Sequence, residues 1–356
     1  MISIRDLAMT YRTAEGQHPA VRGVSLEIPQ GAFYTLLGPS GCGKTTILRC
    51  VAGLEHPDAG EIAIGGEVVF SAARGLWVPP HQRNIGMVFQ SYAIWPHMTV
   101  FENVAFPLRH KRPRLARAEI RERVAKALLL VHLDGLEERP APYLSGGQQQ
   151  RLALARALVG EPRVLLLDEP LSNLDAKLRE EMRLEIRQVV ERLGVTTLFV
   201  THEQIEALTM SDVMAVMRDG VIVQEGAPAE IYARPNGAFV ADFIGRTNFL
   251  KGRVLDVAAG LATIETAIGR LSARVDDETG VGDEVTLAVR PENVALAEHG
   301  FSGTVETVVY VGNLLDCLVT VGSERIRLQL HPSATLARGE TVRLQFPPEH
   351  LRAMRR

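Results

Sequence analysis

The sequence has few cysteines and no long apolar run, and these absences exclude several classes of protein. Cys42, Cys50 and Cys317 are the only three cysteines in 356 residues, and their spacing fits neither a disulfide framework nor a metal-ligand set. Such sparse use favours a reducing cytosol. No stretch approaches the roughly 18 apolar residues of a membrane-spanning helix. The segment from Met1 to Asp6 lacks the apolar centre of a signal peptide.

The sequence also has no excess of basic residues. It contains 39 Lys and Arg against 42 Asp and Glu, a formal net charge of -3. A nucleic-acid-binding protein usually carries a basic patch or stripe, so we expect no nucleic-acid partner. A composition of 46% hydrophobic and 23% charged residues is typical of a globular protein with a packed core. The length exceeds one average domain and predicts two, at residues 1–237 and 238–356.

The first two-thirds of the chain alternates strand-like and helix-like segments, which indicates an α/β fold. The predicted strands are short apolar runs, and the predicted helices carry apolar residues at helical spacing. The strands are predicted at Phe33–Leu37, Ile85–Phe89, Val164–Leu167 and Thr197–Thr201, and the helices at Lys44–Ala52, Arg117–Leu133 and Ala176–Leu193.

From about Arg246 the chain consists of short β-branched runs separated by Gly, Asp and Pro, which predicts an all-β second domain. Its strands are predicted at Val254–Val257, Val285–Val289, Val305–Val311, Leu318–Val321 and Val342–Phe346.

This second domain contains two similar segments, which indicates an internal duplication. A glycine, an acidic residue and a valine-containing strand recur before a proline and a glutamate. The matching pairs are Gly282–Leu287 with Gly339–Leu344, Arg290–Val294 with Pro347–Leu351, and Gly252–Val254 with Gly303–Val305. Two such small β units would pack together, because each is too short to bury its own core. The alternative is that the repeated pattern is common turn-to-strand sequence.

A glycine-rich loop lies between the first predicted strand and helix. Glycines let backbone N–H groups approach phosphate oxygens, and the helix N-terminus favours an anion. The lysine of this pattern reaches the β- and γ-phosphates, and the hydroxyl after it ligates Mg²⁺. The loop predicts a nucleoside triphosphatase. Its residues are Gly38, Pro39, Ser40, Gly41, Cys42, Gly43, Lys44 and Thr45, with Thr46 next in the helix.

Two further motifs surround this loop. Asp168 and Glu169 end a buried strand, on the sheet edge where the phosphate loop lies, although adjacent acids are also common where a strand simply meets solvent. Ser145, Gly146, Gly147 and Gln148 open an Ala/Leu-rich helix, with Ser145 as its predicted N-cap. This helix supplies a second N-terminus suited to phosphate.

In this order, the loop, the segment Leu144–Arg151 and Asp168-Glu169 resemble the ATP-binding-cassette (ABC) ATPases. The resemblance implies an α/β P-loop NTPase domain with a helical signature subdomain. It also implies a C-terminal all-β, OB-like domain of the type called TOBE, of which Arg290-Pro291-Glu292 resembles a recurrent element.

The remaining family motifs imply roles residue by residue. Gln90 resembles the Q-loop glutamine, which contacts Mg²⁺ or water and senses a membrane partner. Ser172–Asp175 resembles the D-loop at a dimer seam. His202 resembles the switch histidine that contacts the γ-phosphate, and Tyr11 resembles the aromatic that stacks on adenine.

The resemblance implies ATP hydrolysis at a dimer interface. Glu169 would be the general base, with Lys44, Gln90 and His202 completing the catalytic set. The Mg²⁺ cofactor would be held by Thr45, Gln90 and Asp168. Because the chain has one copy of each motif, a second copy or a homologous ATPase would supply Ser145–Gln148 and Asp175 in trans.

The whole length resembles ATPase subunits of bacterial importers, which implies two integral-membrane permease subunits and, indirectly, a solute-binding protein outside the membrane. The chain would then lie on the cytoplasmic face of the cell membrane. Polyamine or ferric iron is the expected cargo, with a sugar or another inorganic ion as alternatives. A different class remains open, a soluble ABC ATPase without a membrane partner.

The segment Phe89–Val100 also resembles the importer group. Tyr92 and Trp95 are predicted to be exposed and to line a groove for a helix of the membrane subunit. The alternative is that both pack in the core of the helical subdomain. Ile205 stands where importer relatives usually have an acid, and it is predicted to affect surface packing.

Overall fold

The computed structural model describes residues 1–14, 16–111, 113–275 and 278–355. The chain divides into two compact units, Met1–Ala229 and Glu230–Arg356. The boundary predicted after residue 237 therefore falls within the second unit. Among the described residues, no helix combines the length and the apolar character needed to span a bilayer.

The first unit contains eleven strands and six α-helices among its described residues, with short 3-10 turns at Pro80–Gln82 and Ala141–Tyr143. The strands are β1 (Ile2–Thr13), β2 (Gly16–Ile28), β3 (Phe33–Leu37), β4 (Ala59–Ile64), β5 (Glu67–Ser71), β6 (Leu76–Trp77), β7 (Ile85–Val88), β8 (Val164–Asp168), β9 (Thr196–Thr201), β10 (Val213–Arg218) and β11 (Val221–Gly226). The helices are α1 (Lys44–Ala52), α2 (Val100–Arg109), α3 (Arg117–Leu130), α4 (Gly146–Leu158), α5 (Ala176–Leu193) and α6 (Gln204–Met210).

A six-stranded sheet in the order β11-β10-β3-β9-β8-β7 positions the site. All its pairs are parallel except β10 with the edge strand β11. The register places Leu37 opposite Thr201 and Asp168 opposite Val200. The carboxyl ends of β3, β8 and β9 therefore meet at one edge, where ligands bind in sheets of this kind.

Both faces of this sheet are buried, which explains its continuous apolar strands. Leu165 and Leu167 pack into a core shared with α2, α3, α4 and α5. Val164 and Leu166 pack into a second core on the opposite face, together with α1. That second core is also covered by an antiparallel sheet in the order β2-β1-β4-β5-β6, which the sequence patterns did not predict.

The predicted elements of this unit are confirmed to within a few residues. β3, α1 and α5 have the predicted bounds. Helix α3 ends at Leu130 rather than at the predicted Leu133. His132 has a φ of 55°, and this left-handed conformation ends the helix although the apolar period continues.

The second unit begins within α7 (Pro228–Ala233) and contains α8 (Ala238–Phe243) and 3-10 turns at Pro291–Asn293 and Pro348–His350. Its strands are β12 (Asn248–Ala258), β13 (Leu261–Thr266), β14 (Gly269–Arg274), β15 (Glu284–Val289), β16 (Ala295–Tyr310), β17 (Leu315–Val321), β18 (Glu324–Leu330), β19 (Thr341–Gln345) and β20 (Arg352–Arg355).

The strand pairing confirms the predicted duplication. The first copy is ordered β14-β13-β12-β15 and the second β18-β17-β16-β19, and each copy ends in a 3-10 turn. Gly252 and Gly303 occupy matching positions. A Cβ would lie 2.4 Å from Ile264 at the first and 2.6 Å from Val319 at the second. Both copies contribute to one core, and β20 closes the first copy into a five-stranded barrel.

Candidate active site

The loop between β3 and α1 requires glycine at two points. Gly43 has a φ of 101°, and a Cβ there would lie 2.1 Å from the Ala20 carbonyl oxygen. At Gly38 a Cβ would lie 2.5 Å from the Met217 carbonyl oxygen. Neighbouring backbone therefore excludes a side chain at these two positions. The loop leads into the N-terminus of α1, the arrangement that binds phosphate.

Lys44 begins α1, and its side chain folds back along this loop. Its Nζ donates hydrogen bonds to the carbonyl oxygens of Gly38 at 2.8 Å and Pro39 at 3.0 Å. The residue is 4% exposed. An ammonium group is thus held at the backbone turn, where a phosphate would be its natural counter-ion.

Thr45 and Asp168 connect α1 with the end of β8. The Thr45 hydroxyl donates to Oδ1 of Asp168 at 3.0 Å. Burial raises the pKa of the Asp168 carboxyl, and the Thr45 hydrogen bond opposes that shift. Hydroxyl and carboxylate oxygens are hard donors of the kind Mg²⁺ prefers. Within the described ranges, no group of three or more His, Cys, Asp and Glu side chains is arranged to hold a metal. A metal ion here would need ligands from phosphates and water in addition to those of the protein.

Two predicted site residues, Gln90 and His202, both contact the side chain of Glu169. Oε2 of Glu169 lies 3.1 Å from Nδ1 of His202 and accepts a hydrogen bond from Nε2 of Gln90 at 3.3 Å. The backbone of Glu169 has a φ of 44°, and its N–H donates to the Val200 carbonyl at 3.0 Å. Asn173 also donates to the Gln90 carbonyl oxygen at 2.7 Å. The ends of strands β7, β8 and β9 thereby bring the side chains of Gln90 and His202 to one carboxylate oxygen of Glu169.

Tyr11 lies beside the phosphate-loop helix. Its hydroxyl is 3.5 Å from Oγ1 of Thr46. The ring packs partly against the core that contains α1. Tyr11 is therefore on the same side of the sheet as the loop.

The remaining predicted residues form a second group at two helix N-termini. Ser145 caps α4, and its hydroxyl accepts from the Gln148 N–H at 3.4 Å. Asp175 caps α5 by accepting from the Leu178 N–H at 3.1 Å. Gly147 packs on Leu178, where a Cβ would approach to 3.0 Å. Of the hydrogen bonds between described residues, none joins this group to the phosphate loop.

The prediction that Tyr92 is exposed is wrong. Tyr92 is 7% exposed and belongs to the core of the helical region. Its φ of 61° and that of 47° at Ala93 turn the chain inward, a conformation that non-glycine residues rarely adopt and that no sequence pattern signals. Trp95 is partly buried against Phe106, with ring centroids 4.2 Å apart. Ile205 is 58% exposed, which confirms its surface position.

Sequence reasoning missed three residues that organise this region. Arg156 donates to the carbonyl oxygens of Tyr92 and Ala93, at 2.7 and 2.6 Å. Its signal was a single charge within the apolar second half of α4, residues 152–158. Arg179 and Glu203 lie near His202. Arg179 follows Asp175 by one helical turn, and this spacing was the available sign that these two residues lie on the same face of α5.

This fold and this loop define the class of protein, a P-loop ATPase, and comparison with known proteins gives the family. The ABC transporter family matches residues 21–172, and the TOBE domain family matches residues 287–354. The chain belongs to the ABC importer ATPases that carry a TOBE domain.

Two curated relatives are similar over most of their length. The spermidine/putrescine import ATP-binding protein PotA of Acidothermus cellulolyticus is 44% identical over 369 residues, covering 98% of this chain and 92% of the relative. The Fe(3+) ions import ATP-binding protein FbpC of Rhizobium meliloti is 50% identical over 301 residues, covering 84% of this chain and 82% of the relative.

Solved structures are similar to the first unit. The dimeric bacterial ABC transporter cassette MJ0796 is 32% identical with a TM-score of 0.56, over 64% of this chain and 99% of that chain. A dimeric post-hydrolysis state of the same cassette, bound to ADP and Pi, is 31% identical with a TM-score of 0.56 and the same coverage. These likenesses confirm the predicted cassette fold.

Proposed function

We propose that this chain is a motor subunit that binds ATP between two chains and couples its hydrolysis to solute uptake. The observation that carries the proposal is the approach of Gln90 and His202 to the same oxygen of Glu169, at 3.3 and 3.1 Å. These groups lie on the sheet edge that also holds the phosphate loop.

Glu169 acts as the general base that accepts a proton from the attacking water. Its partners Gln90 and His202 orient the carboxylate, and His202 also faces the γ-phosphate. Lys44 stabilises charge on the transferred phosphoryl group. Positioned charges of this kind supply most of the catalysis in phosphoryl transfer.

Backbone and side-chain groups hold the nucleotide. The loop from Gly38 to Thr46 cradles the phosphates, with backbone N–H groups from Ser40, Gly41, Cys42 and Gly43, and Tyr11 stacks on adenine. Thr45, Asp168 and Gln90 hold Mg²⁺, and the 3.0 Å approach of Thr45 and Asp168 oxygens supports this assignment. When bound, Mg²⁺ would neutralise negative charge on the phosphate oxygens.

The other half of the site comes from a second copy of the chain or a homologous ATPase. Ser145 and Gly146 are exposed at the N-terminus of α4, and Asp175 is exposed at the N-terminus of α5. These residues, with Gly147 and Gln148, meet the nucleotide held by the partner chain. The dimeric arrangement of the similar cassettes supports this proposal.

The membrane partners are two permease subunits, served by a solute-binding protein on the other side, and the chain lies peripherally on the cytoplasmic face. The import roles in the relatives' names support these partners. A soluble ABC ATPase without a membrane partner is distinguished by fractionation. The chain should sediment with membranes when its permease subunits are co-expressed, and should stay in the supernatant without them.

The cargo we propose is a polyamine, because a relative that spans nearly the whole chain is named for spermidine and putrescine. Ferric iron is the second candidate, supported by the 50% identical relative. Uptake of radiolabelled spermidine and of ferric iron should be compared in cells that express the chain with its permease subunits. Uptake of neither cargo would favour a sugar or another inorganic ion.

A further inference from the structure

His202 has a carboxylate beside each of its ring nitrogens. Nδ1 lies 3.1 Å from Oε2 of Glu169, and Nε2 lies 3.9 Å from Oε1 of Glu203. Glu169 belongs to the proposed reaction, whereas nothing so far assigns a role to Glu203. An imidazole ring placed between two carboxylates is restricted in rotation, because turning it toward one moves it away from the other.

Glu203 is itself held in place from two directions. Its Oε1 lies 3.4 Å from Nη1 of Arg179. Its backbone N–H donates to the Thr201 hydroxyl at 3.0 Å, and that hydroxyl donates to the carboxyl of Glu206 at 2.5 Å. Glu206 is 2% exposed, so this chain of contacts ends in the core. The backbone of Glu203 is thus held by Thr201 and the buried Glu206, and its side chain is held by Arg179.

Arg179 connects this arrangement with the D-loop. While Nη1 reaches Glu203, Nη2 donates to the Leu174 carbonyl oxygen at 3.1 Å. Leu174 directly precedes Asp175, the N-cap of α5. A guanidinium is a rigid planar fork, so its two ends cannot move independently. We therefore expect a shift of the backbone at Leu174 to move Arg179, and with it the carboxylate of Glu203.

We propose that Glu203, held by Arg179, is a positioning residue for His202 and couples the direction of its ring to the segment Ser172–Asp175. The inference rests on the proposed role of His202 at the γ-phosphate. It adds a route by which contacts at the D-loop reach the catalytic histidine of the same chain. Glu203 acts through His202 and does not itself touch the reacting atoms.

If the same ion pair had a purely structural role, its loss would lower the melting temperature rather than kcat. Glu203 and Arg179 have side chains 42% and 28% exposed, and exposed ion pairs contribute little to stability. Losing the pair should therefore barely change the melting temperature. If the pair positions His202, its loss should lower kcat while the KM for ATP stays nearly unchanged, because ground-state binding is retained.

The test is a double-mutant cycle on the full-length chain, with ATP hydrolysis followed under steady-state and single-turnover conditions. We expect Glu203→Ala to lower kcat about tenfold, with KM within about twofold. Glu203→Asp should recover part of the loss. In a His202→Ala background, Glu203→Ala should cause no further loss, because residues that act as a unit are not additive. Exposed Glu180→Ala on α5 is the matched control.

The Arg179 arm tests whether Arg179, which contacts the D-loop, acts on His202 through Glu203. Arg179→Ala should lower kcat as Glu203→Ala does, and the double variant should be no worse than either. Exposed Lys177→Ala is its control. Unchanged kcat in Arg179→Ala or in Glu203→Ala, or an equal loss from Glu203→Ala with and without His202, would overturn the inference. Wild-type kcat in His202→Ala would instead refute the proposed role of the histidine.

Discussion

Glu169 and His202 are joined across the ends of two adjacent parallel strands, with Oε2 of the carboxylate 3.1 Å from Nδ1 of the imidazole. The register between β8 and β9, with Asp168 opposite Val200, places the two residues at that edge. The strained backbone of Glu169, which has a φ of 44° directly after the end of its strand, also contributes to this placement. The sheet thereby holds an acid and a histidine in contact without help from a flexible loop.

The first prediction concerns Glu169→Gln. The amide keeps the shape of the side chain but cannot accept a proton from water, so turnover should fall at least a hundredfold while ATP binding persists. We also expect the variant to accumulate as a dimer in ATP, which size-exclusion chromatography with light scattering would show. Glu180→Gln, exposed on α5, is the control. Near-normal hydrolysis in Glu169→Gln would remove this residue from the role of base.

The second prediction concerns Ser145→Arg. A bulky cation at the N-terminus of α4 should block the nucleotide of the partner chain, so hydrolysis is lost while the isolated chain still binds ATP. Ser145→Ala is the matched control, because it removes the cap at a cost of about 1 kcal/mol without adding bulk. Titration with a fluorescent ATP analogue measures binding. A loss of binding in Ser145→Arg would mean that the segment serves the structure of its own chain.

The third prediction compares two glycines of the phosphate loop. At Gly43 a Cβ would lie 2.1 Å from the Ala20 carbonyl oxygen, whereas at Gly41 nothing lies within 4 Å. Both have positive φ, so both alanine variants carry left-handed strain of about 1–2 kcal/mol. Gly43→Ala should lose several kcal/mol more, because backbone must move. Urea unfolding without nucleotide measures the difference, and equal stability of the two variants would contradict the prediction.

The fourth prediction concerns Glu206 and pH. Burial raises the pKa of this carboxyl above its ordinary value, although the Thr201 hydroxyl opposes the shift. A raised pKa in the folded state means that stability is greatest where the group is protonated and falls as pH rises past the ordinary glutamate pKa of about 4.3. Glu206→Gln stays neutral throughout.

The melting temperature of Glu206→Gln minus that of the wild type should therefore increase between about pH 4 and about pH 8. Differential scanning calorimetry at matched ionic strength measures it. Glu180→Gln should show no comparable trend, because that side chain is exposed. A difference that stays flat across this range would show that the buried carboxyl does not titrate differently in the folded state.

Local patterns predicted the elements whose signals are local. The bounds of α1 and α5 follow from the glycines, Asp175 and the apolar period beside them. The duplicated β units were visible because their glycines recur for a steric reason. The antiparallel sheet and the barrel closure were not predicted, because pairing between distant strands leaves no local mark in the sequence.

The residues of the candidate site likewise divide into those that local motifs predicted and those that only the folded structure brings together. The phosphate loop, Asp168 and Glu169 are contiguous motifs whose chemistry reads directly from residue type. Tyr92 was placed wrongly because two left-handed non-glycine residues turn it inward. The contacts of Glu203 with Arg179 and His202 arise from three elements, so only the folded chain brings them together.

The closing strand of the barrel has a consequence for how the second unit is made. β20 pairs with β15 over Val285–Ala288 and with β14 at Arg274, yet it follows the entire second copy in the chain. During synthesis the first copy emerges earlier but cannot complete its ring until β16–β19 have been translated. The order of completion is therefore the reverse of the order of translation. A ribosome that stalls within the second copy would leave the first with an open edge, the kind of surface on which β-sheet aggregation begins.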